Sequence, residues 1–205
     1  MISAVLLMLA SGTVGLPDLG ALLTTADYPD GAYARNESFA ATVDLILDPS
    51  GSVASCKSTM LVGSEELARK ICDIAIARKV EPASSRSGQP EYFHTRTIVR
   101  FVFPHAPGSH KVATLVLAPD ATVTVSALPG RDPFVDVPVS VLVDEGGKVI
   151  ECDPSPFVTR STLNAAKLAC ANSDKLGLGS LVLPTKGPLS RVESLVVRLK
   201  REQSS

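Results

Sequence analysis

Apolar and polar residues alternate along TVDLILD, which opens a segment that covers residues 42–56. Alternation with a period of two is typical of a strand with one buried face. Pro49 and Gly51 follow, and they favour a tight turn because proline presets one turn angle while glycine accepts a positive one. The pattern therefore predicts a hairpin whose second strand includes residues 53–56.

A helix is predicted shortly after this hairpin. Ser64 can cap its first turn, and Glu65 and Glu66 suit the positive end of the helix dipole. The apolar residues within 67–75 recur at helical spacing, so one side of the helix can pack across the hairpin.

The hairpin and the helix occur twice in the chain. The segment PVSVLVDEGGKVIEC, residues 138–152, matches residues 42–56 at a constant offset. The equivalent residues are Asp48 and Asp144, Gly51 and Gly147, Cys56 and Cys152, and Cys72 and Cys170. Each copy ends in a closing strand, with Arg100 in the first at the position of Arg198 in the second. This shared order of features indicates an internal duplication.

We therefore predict an α+β fold of two tandem units, each a small antiparallel sheet with one helix packed across it. The predicted divisions are a signal-like leader at 1–26, a first unit at 27–103, a bridging hairpin at 104–134 and a second, degenerate unit at 135–205. The bridging hairpin is inferred from KVATLVLA and TVTVSAL, which Pro119 and Asp120 separate.

The four cysteines form two equivalent pairs. Cys56 and Cys72 are 16 positions apart, and Cys152 and Cys170 are 18 apart, so neither pair has the close spacing of a redox or zinc motif. We predict the disulfides Cys56–Cys72 and Cys152–Cys170, each worth about 3 kcal/mol in the chain-entropy model. Four buried, reduced thiols are the alternative. Disulfides imply an oxidising compartment, so we predict that the protein is periplasmic or secreted.

The N-terminus supports export. Residues 4–10 form an apolar run of signal-peptide length, and Ser11 and Gly12 supply small residues suited to cleavage. No Lys or Arg precedes the run, so a short N-terminal helix of a cytosolic protein is the alternative reading. The run is far shorter than the roughly 20 residues that a membrane helix needs, which predicts no integral membrane span.

Composition and candidate chemistry give little support for catalysis. The formal net charge is −1, without the clustered basic face of a nucleic-acid-binding protein. Apolar residues make up 45% of the chain and aromatic residues 4%, which predicts aliphatic cores. The three histidines, His94, His105 and His110, have no ligand pattern around them, and Asp48 and Asp144 suit turns. We therefore predict no metal, no cofactor and no catalytic residue.

The first unit contains a series of short motifs in a fixed order: Tyr28-Pro29, the turn at 48–51, Val80-Glu81-Pro82-Ala83, Gly88-Gln89-Pro90 and the closing strand that ends at Phe103. In this order they resemble the C-terminal domain of TonB. Val80 stands where the family usually has Phe, and the second unit keeps Pro184 and Gly187-Pro188 without a Tyr-Pro entry. The resemblance implies a fold and a habit of binding peptides. It does not imply energy transduction, because the membrane anchor and proline-rich spacer of TonB have no counterpart in the sequence.

We accordingly predict a non-enzymatic protein-interaction module that binds an extended peptide or a partner protein by pairing at a sheet edge, with a link to envelope transport. The predicted binding residues are Arg96, Ile98 and Arg100 on the first closing strand. The basic residues of the closing strands can also protect an edge from unwanted pairing. A structural or assembly module, and a secreted enzyme whose site is scattered along the chain, are the alternatives.

Overall fold

The computed structural model describes residues 12–28, 30–129, 132–183 and 186–202. Its α-helices are α1 (Asp30–Ala34), α2 (Glu65–Ile76), α3 (Ser109–Thr114) and α4 (Leu163–Ala171). Its strands are β1 (Phe39–Leu47), β2 (Val53–Val62), β3 (Ala83–Ser84), β4 (Pro90–Phe101), β5 (Ala121–Val125), β6 (Phe134–Val143), β7 (Val149–Pro154), β8 (Val182–Leu183), β9 (Gly187–Pro188) and β10 (Arg191–Arg201). Short 3-10 turns span Leu19–Ala21, Thr25–Asp27 and Ser173–Lys175.

The predicted hairpins and helices are confirmed in both copies. Strands β1 and β2 pair antiparallel, as do β6 and β7, and α2 and α4 follow them. The amide of Leu67 donates to the Ser64 side chain at 3.4 Å, so Ser64 is the N-cap of α2. Gly51 has φ +83°, and a Cβ atom there would lie 1.8 Å from the carbonyl oxygen of Val80. Glycine is therefore required at this turn, and equally at Gly147 with φ +91°.

The two copies share one sheet, so the predicted pair of tandem sheet-helix units is wrong. The eight-stranded sheet has the central order β2-β1-β4-β10-β6-β7. The closing strands β4 and β10 pair parallel where 92–95 meets 191–194. Each closing strand would otherwise leave a row of main-chain groups unpaired, and joining the strands satisfies part of both rows. The repeat is visible in the sequence, but this pairing between copies leaves no local pattern.

The two helices pack on opposite faces of this sheet. Leu142 and Val192 belong to the core that contains Ile71 of α2, whereas Val141 belongs to the core that contains Ala169 of α4. Successive residues of a strand point to opposite faces, so each copy has one face covered by its own helix. Helix α3 packs against β1 and β4 of the first copy.

The segment between the copies does not form the predicted bridging hairpin. Helix α3 lies in its first part, and β5 pairs parallel with the end of β10. Asp120 explains this course, because its amide donates to the Val196 carbonyl at 2.8 Å and its carboxylate accepts from the Val196 amide at 2.7 Å. Asp120 thereby places the chain beside β10, and β5 continues from it.

The apolar N-terminal run at 4–10 lies outside the described residues. Val14 and Leu22 are buried in the core that α2 covers, and the Val14 amide donates to Asp153 at 2.9 Å. The leader boundary predicted at residue 26 thus assigns two core residues to the leader.

Candidate binding edge

The predicted binding residues lie on an inner strand. Arg96, Ile98 and Arg100 belong to β4, which has β1 on one side and β10 on the other. Their partners in β1 are Asp44, Thr42 and Ala40 respectively. The outer strands of the central six are β2 and β7. Neither closing strand is an outer strand, so their arginines do not lie on an outer edge of the sheet.

The hairpin turn shows which way each main chain faces. The Asp48 amide donates to the Ser52 carbonyl at 2.8 Å, and the Asp48 carbonyl accepts from the Gly51 amide at 2.8 Å. Asp48 thus points its amide and carbonyl toward β2, and successive residues of β1 point theirs alternately toward β2 and toward β4. The β1 partners of Arg96, Ile98 and Arg100 are residues that point toward β2, so they form no main-chain hydrogen bonds with these three. The main-chain groups of Arg96, Ile98 and Arg100 consequently point to the β10 side of β4.

Pairing on that side of β4 stops at Thr95. Beyond it, no strand in the described ranges pairs with residues 96–101 on the β10 side. The side chain of Arg100 donates to the Leu115 carbonyl, in the segment that follows α3. Arg96, Ile98 and Arg100 hence form an internal edge that part of the same chain borders, and their role in binding stays a prediction.

Strand β2 presents an edge on the outside of the sheet. By the same alternation, Cys56, Ser58 and Met60 turn their main-chain groups away from β1. No strand of the described chain pairs with β2 on that side. Met60 is 37% exposed and the neighbouring Leu61 is 39% exposed, so apolar side chains accompany the free main-chain groups.

Strand β2 is fixed to helix α2 by two contacts. The disulfide Cys56–Cys72 ties β2 to α2, and the Ser58 hydroxyl donates to the Ala68 carbonyl at 2.5 Å. Register shifts leave Ala54 and Leu61 without a partner in β1, and between them lies a regular stretch of strand. Cys56 and Ser58 of this stretch are thus anchored to α2, while no strand of the described chain pairs with its outward main chain.

Both predicted disulfides are present, with S–S distances of 2.02 Å for Cys56–Cys72 and 2.01 Å for Cys152–Cys170. The alternative of four reduced thiols is therefore wrong. Each bond joins the second strand of a hairpin to the following helix, as the repeat predicts. Two disulfides indicate an oxidising environment outside the cytoplasm.

The equivalent edge of β7 is closed. The Cys152 carbonyl, which occupies the position of the outward Cys56 carbonyl, accepts from the Arg86 side chain at 2.6 Å. Pro154 stands at the position of Ser58 and has no amide proton to donate. Arg86 also binds Asp153 through two contacts of 2.9 and 2.7 Å. Burial alone raises the pKa of Asp153, but Arg86 and the Val14 amide outweigh it and lower that pKa.

A shallow depression adjoins β2 on the face of the first copy that α2 does not cover. Its lining residues are Thr42, Asp44, Lys57, Thr59, Leu61 and Arg96. Lys57, Asp44 and Arg96 lie side by side on three adjacent strands. A segment added to β2 would place alternate side chains over this depression.

Ionisable side chains meet where the two copies join. Glu193 and Arg191 are 4% and 3% exposed and form an ion pair of 2.5 Å. His94 has its Nδ1 3.4 Å from Glu193 and its Nε2 3.4 Å from Asp44. Nδ1 makes no hydrogen bond in the described part of the chain.

Burial and charge act on these groups in opposite directions. Burial alone lowers the pKa of His94, but the carboxylates of Glu193 and Asp44 outweigh it and raise that pKa. Burial raises the pKa of Glu193, whereas His94 and Arg191 lower it, with a net decrease. The pKa of Asp120 is raised mainly by burial. The cluster thus connects side chains of β1, β4 and β10 where the two copies join.

Sequence reasoning missed this junction and the β2 edge. Arg191 and Glu193 alternate with the apolar residues of RVESLVV. Charges at alternate positions of an otherwise apolar strand were the signal from which buried charged side chains could have been predicted. Within the described ranges, no three or more His, Cys, Asp or Glu side chains are grouped to hold a metal ion. No helix in the described part of the chain is long and apolar enough to cross a bilayer.

Comparison of the chain with protein-family models, with curated proteins and with solved structures found no match. The resemblance to the C-terminal domain of TonB therefore stays a prediction.

Proposed function

We propose that the protein is a non-enzymatic, extracytoplasmic binding module that accepts an extended segment of a partner protein as an added strand beside β2. The outward main chain of Cys56, Ser58 and Met60, with no strand partner in the described residues, is the observation that carries the proposal. Extended peptides commonly add to such edges, where main-chain hydrogen bonds supply affinity and alternate side chains supply selectivity.

The energetics favour a specific but moderate affinity. Cys56, Ser58 and Met60 offer paired donors and acceptors, and each hydrogen bond contributes about 0.5–1.5 kcal/mol net. Ordering a flexible segment opposes binding. The Cys56–Cys72 disulfide and the Ser58 contact with α2 reduce the cost on the protein side, because β2 is already ordered.

The compartment fits this role. The two disulfides place the protein in an oxidising compartment, and we propose the periplasm or the exterior of the cell as that compartment. The resemblance of the first copy to the C-terminal domain of TonB agrees with peptide binding, and it suggests a partner in the cell envelope.

The proposal can be tested with a random nonapeptide library displayed on phage and selected against the oxidised protein. Selected peptides should protect the amides of Cys56, Ser58 and Met60 from hydrogen exchange. Ser58→Pro, which installs the residue found at Pro154, should weaken binding about tenfold because it removes an outward donor. Ser58→Ala keeps the amide and is the matched control.

Two further results would show that β2 is not the binding site. Protection confined to Arg96, Ile98 and Arg100 would move the site to the inner edge of β4. A selection that yields no peptide sensitive to Ser58→Pro, with the variant folded by circular dichroism, would reject edge pairing at β2.

A further inference from the structure

Three cations lie on the face of the first copy that α2 does not cover. Lys57, Arg96 and Arg100 form no ion pair in the described chain. Asp44 lies between Lys57 and Arg96 in the sheet, but its nearest ionisable contact is His94 at 3.4 Å. Asp120 also interacts electrostatically with Arg96, so this face presents a small excess of positive charge beside the β2 edge.

The second copy pairs the cation equivalent to Arg100 with a carboxylate. Arg198, which corresponds to Arg100, binds Asp136 through contacts of 2.7 and 2.6 Å. In the first copy Ala40 stands at the position of Asp136. Arg100 thus lacks the carboxylate that its counterpart in the second copy binds.

Strand geometry decides which of these charges a bound segment meets. The outward residues Cys56, Ser58 and Met60 would form the hydrogen-bonded pairs with an added antiparallel strand. Lys57 would then sit in a non-hydrogen-bonded pair, where opposite side chains approach most closely. Arg96 and Arg100 lie further from the edge. They would act through the positive electrostatic potential of this face, which speeds association with an acidic partner.

We infer that the segment bound at β2 carries acidic side chains at alternate positions, on the side that faces Lys57. This inference rests on the proposed function and names the chemical class of its ligand. An extended acidic segment would pair with the outward main-chain groups of β2 and would also place carboxylates near cations that form no ion pair in the described chain.

Three synthetic nonapeptides that alternate Thr with Glu, Gln or Lys test the inference against the full-length oxidised protein. Fluorescence anisotropy at low salt should show the Glu peptide binding about fivefold more tightly than the Gln peptide, and the Lys peptide most weakly. The differences should shrink at high salt because the charges are exposed. Lys57→Glu should reverse the order of the Glu and Lys peptides.

The matched control is Lys167→Glu, which makes the same charge change on the exposed side of α4 and should leave the order unchanged. Equal binding of all three peptides, lost in Ser58→Pro, would overturn the inference and leave edge pairing at β2 intact. Glu-peptide binding that survives Ser58→Pro would overturn it too, since charge alone would then hold the peptide. Absence of any Ser58-dependent ligand, including those from the phage library, would instead reject the proposed function.

Discussion

Strands β2 and β7 occupy equivalent places in the two copies of the repeat, yet their outer edges differ in nearly every respect. Strand β2 spans Val53–Val62 and keeps its outward main chain free, whereas β7 spans only Val149–Pro154 and ends in a proline. Arg86 covers the outward carbonyl of Cys152. Duplication has preserved the hairpin, the helix and the disulfide, while one edge has been closed and the other left open.

The interior of the two copies differs as well. Phe93 and Thr95 of β4 correspond to Arg191 and Glu193 of β10, and all four side chains are buried. The first copy thus has an aromatic residue and a hydroxyl where the second has an ion pair. A buried pair stabilises little in net terms but is costly to break, because a lone buried charge remains. In the second copy, a substitution that removes one member of the pair therefore leaves the other as a lone buried charge.

The largest effect is expected from breaking this pair. Glu193→Thr, which installs the first copy's residue, should lower the free energy of unfolding by about 3–5 kcal/mol because it leaves Arg191 buried and unpaired. Arg191→Phe combined with Glu193→Thr should recover most of that loss. Urea unfolding at neutral pH measures both variants. Equal losses in the single and double variants would show that the cost lies in packing and not in the unpaired charge.

Removing either disulfide should have the next largest effect. Cys56→Ala with Cys72→Ala, and Cys152→Ala with Cys170→Ala, should each cost about 3 kcal/mol of unfolding free energy in the chain-entropy model.

The two disulfide-free variants should nevertheless differ in binding. Only loss of Cys56–Cys72 frees β2 from α2, so only that variant should show faster amide exchange at Ser58 and Met60 and weaker peptide binding. The Cys152–Cys170 variant is the matched control. Equal weakening in both would mean that global stability, and not a rigid β2 edge, governs binding.

Local patterns predicted the elements of each copy but not their assembly. Alternating apolar residues, the Ser64 cap and the glycine turn act over a few residues, so the hairpin and α2 could be derived from the sequence. The parallel contact of β4 with β10 joins residues about 100 positions apart. Nothing in the sequence of either strand indicates which strand pairs with it on its second side. The site was consequently expected on the closing strand and not on β2.

The segment between the copies shows the same limit at shorter range. Alternation in KVATLVLA favours a strand, yet Ser109–Thr114 is helical and packs against β1 and β4. Val112 is fully buried there, so tertiary packing outweighs the weak β-preference of the segment. Asp120 then fixes where β5 begins through its contacts with Val196, which no short-range pattern encodes.

The smallest expected effect is on the pH dependence of the unfolding free energy. It distinguishes the two copies, because His94 of the first copy stands where the second has Val192. The pKa of His94 is raised in the folded protein, since Glu193 and Asp44 outweigh burial. A raised folded pKa means that the folded state holds the proton more tightly than the unfolded state. The stabilisation is therefore complete below the unfolded pKa of about 6.5 and is lost as pH rises through the folded pKa.

Wild-type protein should accordingly lose at most about 1 kcal/mol of unfolding free energy as pH rises above about 6.5, the scale of a partly exposed ion pair. His94→Val, which installs the residue of the second copy, should flatten the curve in this window. The ionisable groups that interact with His94 are Glu193, Asp44 and Asp120, while Arg191 acts on Glu193 and Arg96 on Asp120. The pKa of Glu193 is lowered, so its stabilisation is lost only as pH falls into the acid range, outside the window. Thermal unfolding of both proteins from pH 6 to pH 9 gives the comparison, and a slope that persists in His94→Val would assign the pH dependence to another group.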